Sequence, residues 1–286
     1  LLDLLVLLVS ENENLRNQAR ERLVERNSKA LCDILEESPT GLVQVRLLDS
    51  LGELYCDFPF TKEAADKLGV GTEELIFKMR DVKYRNPLML RGADIAFVYP
   101  DIYTMQIESF LKARKATKNP SVDLRIILPF ARFPGEVAVI QQMVDETYNK
   151  LSLKKSEYPV SIGVMIETPV AVENVAGFYA QGVRHFAFGT YDLSQFYLCQ
   201  GRSDVSSIGA RIAAGIYSAN PFQAVLPIVK KKIESAVNVL KEHPDADFGV
   251  TSRQGYHIES LIGFYDMGMQ YLAVSPSHLP ITLINL

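Results

Sequence analysis

Two acidic residues stand directly after apolar segments that read as parallel strands. Val164-Met165-Ile166 runs into Glu167-Thr168-Pro169, and Phe186-Ala187-Phe188 runs into Gly189-Thr190-Tyr191-Asp192. The two carboxylates are 192 − 167 = 25 residues apart, one strand–helix–strand step. Carboxylates at the tips of neighbouring parallel strands can converge on one hard cation such as Mg²⁺, which keeps further positions for water or substrate oxygens. A structural role is the alternative. Thr168 has the chemistry of a helix N-cap and Pro169 suits the first helical position, so Glu167 would be a helix-start carboxylate. Asp192 would then be a loop cap.

Arg46, Arg91, Arg125 and Arg202 fall at or near other strand ends or their loops. Guanidinium groups bind phosphate and carboxylate through paired hydrogen bonds, so arginines converging beside a cation suit a small multi-anionic ligand. Taken singly, each arginine is better explained as an ordinary surface ion pair. The histidines (His185, His243, His257, His278) show no H-x-x-x-H spacing, which argues against histidine ligation of a metal. No P-loop and no G-x-G-x-x-G occurs, which removes nucleotide sites of those types.

These groups must be positioned by a chain of 286 residues with 30 Lys+Arg against 34 Asp+Glu, a net charge of −4. With 48% hydrophobic and 22% charged residues, this is the balance of a globular protein, and it offers no basic footprint for nucleic acid or anionic lipid. The apolar run Leu1–Val9 is too short to span a bilayer and lacks the basic flank of a signal peptide. Cys32, Cys56 and Cys199 fit neither a disulfide framework nor a C-x-x-C metal site, so a reducing cytoplasm is expected. The chain begins with Leu rather than Met and is read as a piece of a longer protein.

The spacing of Leu15, Ala19, Leu23, Leu31 and Leu35 predicts an amphipathic helix over residues 13–37. A buried strand follows at 42–48, a loop at 49–70, a helix at 72–80, a strand at 88–91 and a helix at 102–116. The second half alternates: strands at 124–128, 160–166, 185–188, 248–250 and 271–274, with helices at 134–149, 169–180, within 220–241, and at 256–267. Apolar strands between amphipathic helices imply a parallel sheet covered by helices. About seven strands point to an α/β fold, a (β/α)8 TIM barrel lacking its first strand, with a doubly wound open sheet as the alternative. Residues 1–40 form a helical lead-in and 41–286 the barrel.

Several segments share the motifs of a known family. Asn86-Pro87-Leu88-Met89-Leu90-Arg91-Gly92, followed by Val98-Tyr99-Pro100-Asp101-Ile102-Tyr103-Thr104-Met105-Gln106, resembles N-P-M-L-G-x-R-G … Y-P-E-I-Y-E-M-Q. Val45-Arg46-Leu47-Leu48-Asp49 is similar to I-R-L-L-D, and Gly163-Val164-Met165-Ile166-Glu167-Thr168-Pro169 to G-x-M-I-E-x-P. Phe188-Gly189-Thr190-Tyr191-Asp192-Leu193-Ser194-Gln195 resembles F-G-T-N-D-L-T-Q. Val274-Ser275-Pro276-Ser277-His278-Leu279-Pro280 resembles the closing S-x-S-P-x-x-x-P. These blocks, in this order, are those of the PEP-utilising enzymes: pyruvate phosphate dikinase, PEP synthase and enzyme I of the sugar phosphotransferase system.

The resemblance implies a barrel that binds PEP or pyruvate with Mg²⁺ and exchanges a phosphoryl group with a phosphohistidine domain of the same longer chain. It assigns Glu167 and Asp192 to Mg²⁺ and Arg46 and Arg91 to the phosphate. Gly189, Thr190, Tyr191 and Arg202 lie with the substrate, and Arg125 matches an arginine of enzyme I. It also implies a homodimer. Two departures stand out. The amide of G-T-N-D is the phenol Tyr191 here. The strand G-I-C-G-E, whose cysteine protonates the enolate carbon, is Gly249-Val250-Thr251-Ser252-Arg253, so Thr251 and Ser252 become the candidate catalytic residues. A threonine hydroxyl is a far weaker acid than a thiol unless strongly activated. The expected function is a Mg²⁺-dependent PEP/pyruvate-binding domain of a PEP synthase- or dikinase-like phosphotransferase. The alternatives are a degenerate PEP-binding regulatory module or a citrate-lyase-type aldolase barrel.

Overall fold

The computed structural model describes residues 2–38, 41–50, 62–84 and 90–285. The chain divides into two compact units, residues 1–129 with 138–161, and residues 130–137 with 162–286.

Unit one opens with α1 (Leu2–Val9) and α2 (Glu13–Glu37). The α2 N-terminus is capped by Asn12, whose side chain accepts the Leu15 N–H at 3.1 Å, satisfying one of the orphan donors of the first turn. Ala19, Leu23, Leu31 and Leu35 are buried on one face of α2, as the period of the sequence predicts. After β1 (Leu42–Arg46) come α3 (Lys62–Leu68), α4 (Thr72–Tyr84), α5 (Ala93–Val98), α6 (Pro100–Ala116) and β2 (Asp123–Leu128). β1 and β2 pair in parallel with Arg46 opposite Ile127. Glu108 on α6 is buried and holds Arg20 of α2, Lys112 at 2.9 Å and Lys150 at 3.0 Å. Burial alone would raise its pKa. The three cationic hydrogen bonds outweigh that and hold the carboxyl down at about 2.

Unit two carries four parallel strands in chain order: β3 (Ser161–Ile166, from Ile162 on), β4 (His185–Phe188), β5 (Asp247–Thr251) and β6 (Leu272–Ala273). Between and after them run α8 (Pro169–Glu173), α9 (Val175–Ala180), α10 (Thr190–Tyr197), α11 (Val205–Ala213), α12 (Pro227–Lys241), α13 (Ile258–Asp266) and α14 (Leu279–Asn285). α7 (Pro134–Lys150) follows β2 in the chain. Phe186, Phe188, Val164 and Ile166 are fully buried, the near-continuous apolar strands expected where helices cover a parallel sheet. In each unit consecutive strands are neighbours with parallel pairing. That singly wound order is the α/β pattern of a (β/α)8 barrel, and among the described residues no strand reversal of the doubly wound kind occurs within either unit.

Several expectations are corrected. The segment 49–70 is not all loop: α3 forms because Ala64, Ala65 and Leu68 bury one side of a short helix, with a Glu63–Lys67 pair on the other. The expected strand at 88–91 lies partly outside the described residues, and Arg91 makes only an isolated antiparallel bridge to Ser50. The helix expected over 169–180 breaks at Asn174, whose side-chain amide donates to the carbonyls of Arg132 and Val170. The helices α5, α10, α11 and α14 were not anticipated. Among the described residues no helix is long and apolar enough to cross a membrane.

Candidate active site

In unit two, the residues at the ends of β3, β4 and β5 form one layer. The ladder aligns Met165, Ala187 and Gly249. Side chains alternate between faces along a strand, so two residues further on Glu167, Gly189 and Thr251 share that face at one level. Thr251 itself pairs with Ala273 of β6. The position whose residue type departs from the family motif is therefore level with the candidate cation ligand. Two layers below, on the same face, His185 Nδ1 lies 2.9 Å from Asp247 Oδ2.

Glu167 is 1% exposed. A buried carboxylate needs donors, and Glu167 Oε1 accepts the backbone N–H of Phe130 at 2.6 Å. Phe130 delivers that N–H from a left-handed backbone, φ +51°, a conformation a bulky residue adopts only when its surroundings hold it there. Gly189 completes the seat. A Cβ at this position would fall 2.7 Å from Glu167 Cβ and 2.9 Å from Oε2, so only glycine lets the next strand end lie this close. The Gly189 N–H donates to Ile166 O at 3.0 Å, which fixes the approach. Thr168 is the N-cap of α8, accepting Ala171 N–H at 3.0 Å, with Pro169 at the first helical position. The capping reading of this segment thus holds for Thr168, while Glu167 turns away to its own seat.

Asp192 occupies the first turn of α10, where the helix N-terminus favours a carboxylate. Arg202 Nη2 lies 3.4 Å from its Oδ1. The same guanidinium sits 5.3 Å from the Tyr191 ring centroid, and Phe222 meets that ring edge-on at 5.1 Å. The bulky phenol that replaces the family amide is thereby accommodated by Arg202 and Phe222. Thr190 and Ser252 are buried, with their oxygens 2.6 Å apart, and both lie within hydrogen-bond distance of Gln254. Arg253 is exposed.

In unit one, Arg91 is buried and gripped by Asp49 at both carboxylate oxygens, Nε to Oδ1 at 3.0 Å and Nη2 to Oδ2 at 2.6 Å. This bidentate geometry fixes the plane of the guanidinium. Arg46 is half exposed and reaches Asp49 Oδ2 at 3.6 Å. The Gly92 N–H donates to Asp49 O at 2.7 Å, and Tyr103 OH lies 2.6 Å from Gly92 O and 2.9 Å from Leu48 O, which anchors the Arg91 turn. Arg125 pairs with Asp123 at 2.7 Å, one layer below Arg46 on the same sheet face. In the sequence Asp49 stands out only as the last residue of the Val45–Asp49 motif, and nothing local shows its grip on Arg91. Phe130 and Gln254 were missed altogether, and no local signal marks either.

A family profile described as PEP-utilising enzyme, PEP-binding domain, matches residues 10–285. Pyruvate, phosphate dikinase 2 of Zea mays is 28% identical over 294 residues, covering 96% of this chain and 32% of its own length. The pyruvate, phosphate dikinase of Giardia intestinalis is 25% identical, covering 97% of this chain and 32% of its own length. That of Treponema pallidum is 26% identical, covering 97% and 34%. The chain spans about a third of the length of the curated relatives it matches. Among solved structures, a citrate lyase from Burkholderia xenovorans aligns with 65% of this chain and 53% of its own at a TM-score of 0.44 and 15% identity. The chain belongs to the PEP-utilising enzymes, as their PEP-binding domain.

Proposed function

Proceeding from that membership, we propose that this chain is the Mg²⁺-dependent PEP/pyruvate-binding domain of a PEP synthase- or dikinase-like phosphotransferase. Its compartment would be the cytoplasm, and its partner a phosphohistidine domain of the same longer chain. The homodimer implied by the resemblance belongs to the same reading. The observation that most supports it is the seat of Glu167, a buried carboxylate that accepts the Phe130 backbone N–H and is backed by a glycine that admits no Cβ. The donor chemistry suits the ion: Glu167 and Asp192 are hard oxygen ligands, and two carboxylates leave coordination positions for substrate and water. When bound, Mg²⁺ supplies charge neutralisation for an enolate oxygen and a phosphoryl group.

The remaining work falls to the chain. Asp49 fixes the plane of the Arg91 guanidinium, the group this reading assigns to the phosphate. Arg46, half exposed, adds a second positive charge. Gly189 and Thr190 offer backbone at the start of α10. A proton must reach the methylene carbon when PEP becomes pyruvate, and Thr251 is level with Glu167 on the ladder, where a thiol would serve. That substitution favours one second reading, a module that binds the ligand with little turnover. Thermal unfolding with oxalate, a planar dianion that mimics the pyruvate enolate, tests the binding reading common to both. Tm should rise when oxalate and Mg²⁺ are present together and not with either alone. No shift with both present contradicts it.

A further inference from the structure

Gln254 is fully buried on the 3-10 turn Arg253–Tyr256, just after Thr251, and neither the motifs nor the family assignment gives it a role. We propose that Gln254 is a positioning residue of the cation site, bolting the helix that carries Asp192 to the turn that follows Thr251. The inference rests on the reading of Asp192 as a cation ligand.

The amide has one orientation. Its Nε2 donates to Pro221 O at 2.5 Å and to Ser194 Oγ at 3.1 Å. Pro221 offers only a carbonyl acceptor there, so the nitrogen is identified and Oε1 is the end that faces Thr190 Oγ1 at 2.6 Å and Ser252 Oγ at 3.3 Å. Thr190 and Ser194 are four residues apart on α10 and therefore on one side of it, with Asp192 between them. One glutamine thus holds two successive turns of that helix, while its own N–H donates to Ser252 Oγ at 3.0 Å.

The hydroxyl protons can be followed one by one. Thr190 and Ser252 are 2.6 Å apart, so one donates to the other. If Ser252 donates to Thr190, the Thr190 proton goes to Gln254 Oε1. If Thr190 donates to Ser252, the Ser252 proton goes there instead. In either arrangement both protons stay within the network. Ser252, a candidate acid from its place in the sequence, is part of the bolt, and Thr251, at the end of β5, is left as the candidate hydroxyl level with Glu167.

The test is calorimetric titration of oxalate at a series of Mg²⁺ concentrations, with unfolding measured in parallel. Gln254→Leu keeps the volume and removes the amide. We expect the Mg²⁺ needed for half-maximal oxalate binding to rise about tenfold or more, the usual effect of removing a group that orients a metal ligand. Oxalate binding should recover at saturating Mg²⁺. Ser194→Ala, which removes one acceptor, should give a smaller rise, and it decides the matter if Gln254→Leu does not fold. An unchanged Mg²⁺ requirement in a folded but less stable variant overturns the proposal and makes Gln254 purely structural. If the unmodified chain binds no oxalate at any Mg²⁺ concentration, the cation-site reading itself fails and the proposal falls with it.

Discussion

Gly189→Ala should damage the site through one steric contact. The Gly189 φ is −86°, within reach of alanine, so the backbone charges little for the change and the penalty lies in the new methyl. That methyl would sit 2.7 Å from Glu167 Cβ, whereas ordinary contact begins at 3.4 Å, so the two strand ends must separate by 3.4 − 2.7 = 0.7 Å. Overpacking of this kind costs about 1–3 kcal/mol. The same displacement strains the 2.6 Å bond from Phe130 N–H to Glu167, and a weakened hydrogen bond to a buried charge adds about 1 kcal/mol. We expect a total of roughly 3 kcal/mol. Urea unfolding measures it, with Gly135→Ala as the control, since no atom lies within 4 Å of a Cβ built there. Oxalate titration of the folded variant should also show a weakened Mg²⁺ dependence. A loss below about 0.5 kcal/mol, the range of an indifferent surface change, with binding intact, would refute the argument that Gly189 exists to seat Glu167.

Three further outcomes follow from the same geometry. The Glu108 carboxyl is held at about 2 against an ordinary 4.5, so its contribution is complete above pH 4.5 and fades as pH falls toward 2. Urea unfolding from neutral pH to about pH 3 should lose about 2 kcal/mol through this group, a loss absent in Glu108→Gln. Asp49→Ala removes the bidentate carboxylate partner of the buried Arg91 guanidinium and should destabilise by about 3 kcal/mol, against less than about 1 kcal/mol for Arg46→Ala, as equilibrium unfolding would show. Thr251→Cys, in the full-length protein, should raise pyruvate formation from PEP if only the acid is missing. No gain would turn attention to Tyr191 and Arg253.

Sequence legibility followed physical range. The α2 helix was readable because a long apolar period is a local signal. His185–Phe188 was readable because four apolar or aromatic residues lie between turn residues. α10 was not readable: it starts directly at a strand end and is only eight residues long, too few to show a period. The same brevity hid α3. Of the candidate residues, Glu167 and Asp192 in unit two and Arg46 and Arg91 in unit one were visible as polar residues at or near expected strand ends. What holds them was not. Asp49 lies 42 residues from Arg91, Phe130 lies 37 from Glu167, and Gln254 lies 64 from Thr190. Pairings of that separation are set by the fold and leave no local pattern.

The most direct test of the account is calorimetric titration of oxalate into the chain with and without Mg²⁺, beside Glu167→Ala and Asp192→Ala. Binding to the unmodified chain should require Mg²⁺ and should be lost in both variants while each remains folded. Binding that is independent of Mg²⁺, or that survives either substitution, would contradict the assignment of these two carboxylates to the cation.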